Sequence, residues 1–162
     1  MIVDGYHLIF AWDELTDLAR DNLDAARVRL TDLLSSYRGF TGCELVLVFD
    51  AYRVPGGAGS KSDCHGIHVV YTKQGETGDA YIEKLSHDIG RNFAVRVVTS
   101  DALIQLTALR SGVLRVSSRE FHAELEWAAG QIEALLRRSN ERAHTSRMDM
   151  NKLDLEDLTH GK

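Results

Sequence analysis

Cysteine is scarce in this chain, and excess positive charge and long apolar runs are missing. Its two cysteines, Cys43 and Cys64, are too few for a disulfide framework and lack metal-ligand spacing. That excludes a structural zinc site and points to a reducing cytoplasm. Lys and Arg total 19 against 24 Asp and Glu, a formal net charge of −5, which excludes a polybasic nucleic-acid or membrane-surface protein but leaves room for a local basic patch. Apolar runs such as Leu45 to Phe49 fall far short of the roughly 20 residues of a membrane span, and the first residues lack a basic-then-apolar signal. No membrane partner and no export are expected. What is present suits a folded domain: 162 residues, 44% of them hydrophobic, can bury a sizeable core.

Short β-branched runs alternate with helical patterns, the arrangement of βαβ units around a parallel sheet. Strands are predicted at Met1–Val3, Glu44–Phe49, Ile67–Tyr71, Val95–Thr99 and, more weakly, Val113–Val116. Leu23, Ala26, Leu30, Leu33, Leu34 and Tyr37 recur at helical spacing, with Asn22 placed to cap the start and Gly39 the end. A second helix is predicted from Thr77, with Ile82, Leu85 and Ile89 on one face, and a third from Ser100 to Ser111. Ser117 and Glu120 have capping-box spacing, and Phe121, Leu125, Ala128, Ile132 and Leu135 carry a long amphipathic helix to about Arg138. Residues 53–66 hold Gly56, Gly57, Gly59, Gly66 and the only proline, Pro55, and read as a mobile loop. The domain is therefore taken as residues 1–138, followed by a polar tail over residues 139–162.

In a parallel α/β sheet, ligands bind outside the carboxyl ends of the strands. Here those positions are acidic. Asp4 follows the first predicted strand, Asp50 the second and Asp101 the fourth, while Asp79 opens the helix after the third and Glu83 follows one turn later on the same face. Like charges so gathered repel unless a cation sits among them. A hard divalent ion such as Mg²⁺, held by a few carboxylates and substrate phosphate, answers that need and suits phosphodiester hydrolysis. Each acid alone also serves as a helix-dipole or turn residue, so the argument rests on the set. Residues 51–75 carry Arg53, Lys61 and Lys73 against a single acid, Asp63, a net charge of +2, and these three are the expected phosphate contacts.

Other motifs fail. Gly56 to Ser62 superficially resembles a phosphate-binding loop, but Ser60 rather than glycine precedes Lys61 and no helical pattern follows. A phospho-acceptor receiver domain would need an adjacent acidic pair after the first strand. No serine or cysteine stands in a nucleophile elbow.

The string Ile2-Val3-Asp4-Gly5-Tyr6-His7-Leu8-Ile9 resembles the opening of NYN domains, members of the PIN-like nucleases that usually read V-D-G-Y-N. Val48-Phe49-Asp50-Ala51, Val70-Tyr71-Thr72-Lys73 leading into Glu76-Thr77-Gly78-Asp79, Val98-Thr99-Ser100-Asp101 and Ser118-Arg119-Glu120 resemble, in order and spacing, the YacP-like branch. The resemblance implies a PIN-like three-layer α/β/α sandwich with a mainly parallel sheet. It further implies a metal-dependent endoribonuclease acting on RNA, with mRNA in a ribosome-associated context as the expected substrate. Carried over position by position, Asp4, Asp79 and Asp101 are the expected catalytic and metal-binding acids; Asp50, delivered by the second strand, and Glu83, on the helical face of Asp79, are the expected secondary ligands. His7 and Ser100 are placed in the same pocket, and Mg²⁺ or Mn²⁺ is the expected cofactor. Two departures stand out: His7 replaces the usual asparagine, and Gly78 a residue that is commonly alanine. They leave a rival expectation, a non-catalytic RNA- or ribosome-binding module with a decayed acidic pocket.

Overall fold

The structure, a computed structural model, describes residues 1–50, 59–99 and 113–159, with side chains as far as residue 142. The expected helix over residues 100–111, and with it Ser100 and Asp101, lies outside the described residues, as does Arg53. Six strands form one sheet: β1 (Ile2–Asp4), β2 (Val46–Phe49), β3 (Ser60–Cys64), β4 (Ile67–Tyr71), β5 (Arg96–Val98) and β6 (Leu114–Val116). Their order is β3-β4-β2-β1-β5-β6, and every neighbouring pair is parallel except β3 with β4. The helices described are α1 (Gly5–Ala11), α2 (Asp13–Asp21), α3 (Leu23–Thr41), α4 (Gly78–Gly90) and α5 (Ser118–Thr159).

Side chains alternate across a strand, so register assigns each face. Ile2 pairs with Val46 and Val97, and Val48 with Asp4 and Val70, so Ile2, Val46, Val48 and Val97 share one face. Ile82 of α4 is buried against that face, with Tyr81, Leu85 and Ile89 packed beside it. The opposite face carries Val3, Leu47, Phe49 and Tyr71, where the Phe49 ring lies 5.3 Å from Tyr71 and 5.2 Å from Tyr6 of α1. Right-handed crossovers require this split, because the chain leaves β1 toward β2 through α1 to α3 but leaves β4 toward β5 through α4. The chain therefore reverses direction between β1 and β5, which is the switch point where such sheets bind ligands.

The segment predicted as an irregular loop contains a strand. Residues 60–64 pair antiparallel with β4, Lys61 opposite Val70 and Asp63 opposite His68. An edge strand needs hydrogen bonds on one side only, so the polar run Ser60-Lys61-Ser62-Asp63 can supply it without an apolar face. The turn into β4 is made by His65 (φ 48°) and Gly66 (φ 84°). α3 begins where predicted, with Asn22 accepting from the Ala25 N–H at 3.0 Å, but it runs past Gly39 to Thr41 and stops at Gly42. Only Gly42 adopts the left-handed backbone (φ 70°) that ends a helix; Gly39 stays helical.

α5 opens with the predicted capping box: Ser117 Oγ accepts from the Glu120 N–H at 3.2 Å, and Glu120 accepts from the Ser117 N–H at 2.8 Å. It continues past Arg138 to Thr159. Residues 118–159 contain one glycine and no proline, so loss of the apolar stripe alone does not end the helix. The chain forms two compact units, Met1–Glu126 and Trp127–Lys162. Among the described residues no helix is long and apolar enough to cross a membrane.

Candidate active site

The β1–α1 junction builds the first half of the site. Asp4 is both the last residue of β1 and the N-cap of α1. One carboxylate oxygen accepts from the His7 backbone N–H at 3.1 Å, and the other lies 2.7 Å from His7 Nδ1. With the proton on Nδ1, the ring donates to Asp4 and Nε2 keeps its lone pair. Both oxygens of Asp4 are thereby oriented, and each retains a further lone pair. Asp4 is 9% exposed, so its position is fixed by burial as well. The tight junction also depends on Gly5: a Cβ there would lie 2.3 Å from Phe49 Cε1, so only glycine lets α1 settle on the sheet at this point.

The second half is the start of α4. Thr77 caps the helix by accepting from the Ala80 N–H at 3.2 Å, and Asp50 Oδ2 accepts from the Gly78 N–H at 2.9 Å. Asp79 follows in the first turn, where the helix dipole favours its negative charge. Asp4, His7 and Asp79 each offer a ligand atom, and those atoms lie within 4.8 Å of one another. Two carboxylates and an imidazole so spaced fit a divalent cation by the chemistry of the donors.

The expected site residues are therefore divided. Asp4, His7 and Asp79 come together. Asp50 reaches the same end of the sheet as the partner of the α4 N-terminus, a role its sequence position does not reveal. Glu83 is exposed one turn along α4 and is not one of the three grouped residues. Lys61 and Lys73 are both exposed. Lys61 shares the α4 face of the sheet, its Nζ 5.6 Å from the Tyr81 ring. Asp101, Ser100 and Arg53 lie outside the described residues.

Gly78 raises no steric question. A Cβ at this position would meet Asp50 Cβ at 3.6 Å, an ordinary contact, so the backbone there accepts alanine.

Away from the site, sequence reasoning missed one part-buried polar link. Glu124 of α5 takes both guanidinium nitrogens of Arg96, at 3.0 and 2.6 Å, and the Tyr37 hydroxyl at 2.5 Å. The bond to Arg96 holds the Glu124 carboxyl below its usual range, while burial and then the Glu124 bond push the Tyr37 hydroxyl up to about 12. The contact ties α3, β5 and α5 together across 87 residues of sequence.

A mainly parallel α/β sheet with acids gathered at the carboxyl end of a central strand is the architecture expected of a PIN-like nuclease domain. Within that class the family is specific: the YacP-like NYN domain model matches residues 1–161, and the chain belongs to that family. It is similar to YacP of Bacillus subtilis (strain 168), at 37% identity over 140 residues, 85% of this chain and 81% of that protein. The crystal structure of Rae1 (YacP) from Bacillus subtilis matches with a TM-score of 0.77 at 32% identity, covering 98% of this chain and 91% of that one. A single-substitution variant of the same protein matches with a TM-score of 0.75 at 33% identity, over 86% and 82% of the two chains. Membership of this family implies a nuclease, with RNA as its substrate class.

Proposed function

We propose that the protein is a divalent-metal-dependent endoribonuclease that cuts RNA internally in the cytoplasm, with mRNA in a ribosome-associated context as its substrate. The observation that carries this reading is the convergence of Asp4, His7 and Asp79 at the switch point of a nuclease-family sheet. Mg²⁺ or Mn²⁺ would be held by these three, with Asp101 as a further catalytic acid and with Asp50 and Glu83 acting through water. Such an ion supplies Lewis acidity, neutralising charge on the phosphoryl oxygens and acidifying water near the phosphorus. Water adds to phosphorus and the 3′ oxygen leaves, so the products carry a 5′-phosphate and a 3′-hydroxyl.

The chain's own residues prepare this chemistry. Asp4 is held in one orientation by two contacts to His7, so little reorganisation accompanies ligand binding. Asp50 and Thr77 fix the first turn of α4 and with it the backbone that carries Asp79. Lys61 and Lys73, with Arg53, would meet substrate phosphates. A few such contacts give salt-sensitive affinity of modest strength, which suits a substrate presented by a larger assembly.

The test is cleavage of an end-labelled single-stranded RNA with Mg²⁺, with Mn²⁺ and with EDTA. Cleavage that needs the metal and falls by about a hundredfold or more in Asp4→Asn is the expected result. RNA binding without metal-dependent cleavage would replace the reading with a non-catalytic RNA-binding module.

A further inference from the structure

The carboxylate cluster accounts for only part of α1. Tyr6 and Phe10 stand four residues apart, as do His7 and Ala11, so these pairs share one helical face. The four residues line a surface cavity of about 330 Å³. Phe10 is 46% exposed, whereas Tyr6 is 8% exposed and supports it, with ring centroids 6.2 Å apart and planes inclined by 24°. Tyr6 is itself fixed by Arg27, whose Nε donates to the phenol oxygen at 3.1 Å and whose guanidinium carbon lies 5.4 Å from the ring centroid. Arg27, Tyr6 and Phe10 thus form an ordered aromatic support that ends in an exposed ring.

His7 belongs to both the cavity wall and the ion-binding cluster. Less than one helical turn separates it from Phe10, about 5–6 Å between Cβ atoms at that spacing. A phosphate and the base of its own nucleotide are joined through one ribose, a span of the same order. We infer that the Tyr6–Phe10 face is a nucleobase-stacking subsite, seating the base next to the phosphate that an ion at Asp4, His7 and Asp79 would hold. The inference rests on the nuclease reading for its ligand and extends it by assigning Phe10 as a substrate-positioning residue. Stacking on an aromatic face tolerates any base, so the subsite sets where the strand lies more than which sequence is cut.

The experiment uses the full chain and a short single-stranded RNA in which 2-aminopurine is placed at each position in turn, with binding read by stopped-flow fluorescence in Mn²⁺ before the strand is cut. One position is expected to be quenched by the unmodified protein and by Phe10→Trp but not by Phe10→Ala, whose affinity falls about tenfold or more. Mn²⁺ affinity and melting temperature should be the same in all three proteins. Quenching that persists in Phe10→Ala, or no responsive position, overturns the subsite. Cleavage of the same RNA in Mn²⁺ is scored separately: quenching without cleavage refutes the nuclease reading and leaves the subsite standing, while cleavage without quenching does the reverse.

Discussion

His7 Nδ1 lies 2.7 Å from the Asp4 carboxylate that also caps the helix on which His7 sits. An asparagine, the usual residue of NYN domains here, would offer an amide donor to the same oxygen but no imidazole. Imidazole suits transition metals better than the hard Mg²⁺ ion. In His7→Asn the ratio of Mn²⁺- to Mg²⁺-supported cleavage should therefore fall several-fold while the fold is kept. An unchanged ratio would show that the ring takes no part in metal preference.

Asp50 is expected to show its structural role in stability measurements. Asp50→Ala removes the acceptor of the Gly78 N–H and should cost about 1–2 kcal/mol in urea unfolding. Asp50→Asn keeps an acceptor oxygen and should recover most of that loss. Equal loss in both variants would mean that the charge, not the hydrogen bond, matters to the helix.

The two glycines that flank the site should respond in opposite directions. Gly5→Ala drives a methyl into the Phe49 ring and should destabilise by about 1–3 kcal/mol. Phe49→Leu in the same chain should relieve part of it. Gly78→Ala meets no obstruction and reduces the freedom of the unfolded chain, so it should stabilise by about 0.4–1 kcal/mol. Thermal or urea unfolding of the three variants decides both signs.

The Tyr37–Glu124–Arg96 link makes stability depend on pH at both extremes. Glu124 has a lowered folded-state value, so its contribution is present above the ordinary value near 4.5 and is lost as pH falls through the lowered one. Tyr37 has a raised value, so its contribution is complete below 10 and is lost as pH rises toward about 12. Glu124→Gln should flatten the acid limb of a urea-midpoint profile, and Tyr37→Phe the alkaline limb. A limb that stays as steep in its variant would assign that pH dependence to other groups.

β4 is predicted residue for residue, and β2 within two residues of its start, because their valines, leucines and isoleucines are buried on both faces, with the exposed His68 the one interruption. β3 was not legible: its residues are polar and its existence depends on the neighbouring edge of β4. α1 was not legible either, since seven residues beginning with glycine and holding Tyr6, Leu8 and Ile9 buried give no amphipathic period. The site divides in the same way. Acids after strands are visible in the sequence, and so is the departure at His7. That Asp50 is bound to the Gly78 N–H depends on a contact between residues 28 apart, and the Tyr37–Glu124 bond on one between residues 87 apart. No local pattern records either.

The central claim is that Asp4, His7 and Asp79 hold a divalent ion used in RNA cleavage. An anomalous difference map from a crystal soaked in Mn²⁺ at a concentration that supports cleavage tests it most directly. The account predicts a peak about 2.0–2.3 Å from an oxygen of Asp4, an oxygen of Asp79 and a ring nitrogen of His7. A peak elsewhere in the molecule, or no peak at that Mn²⁺ concentration, would contradict it.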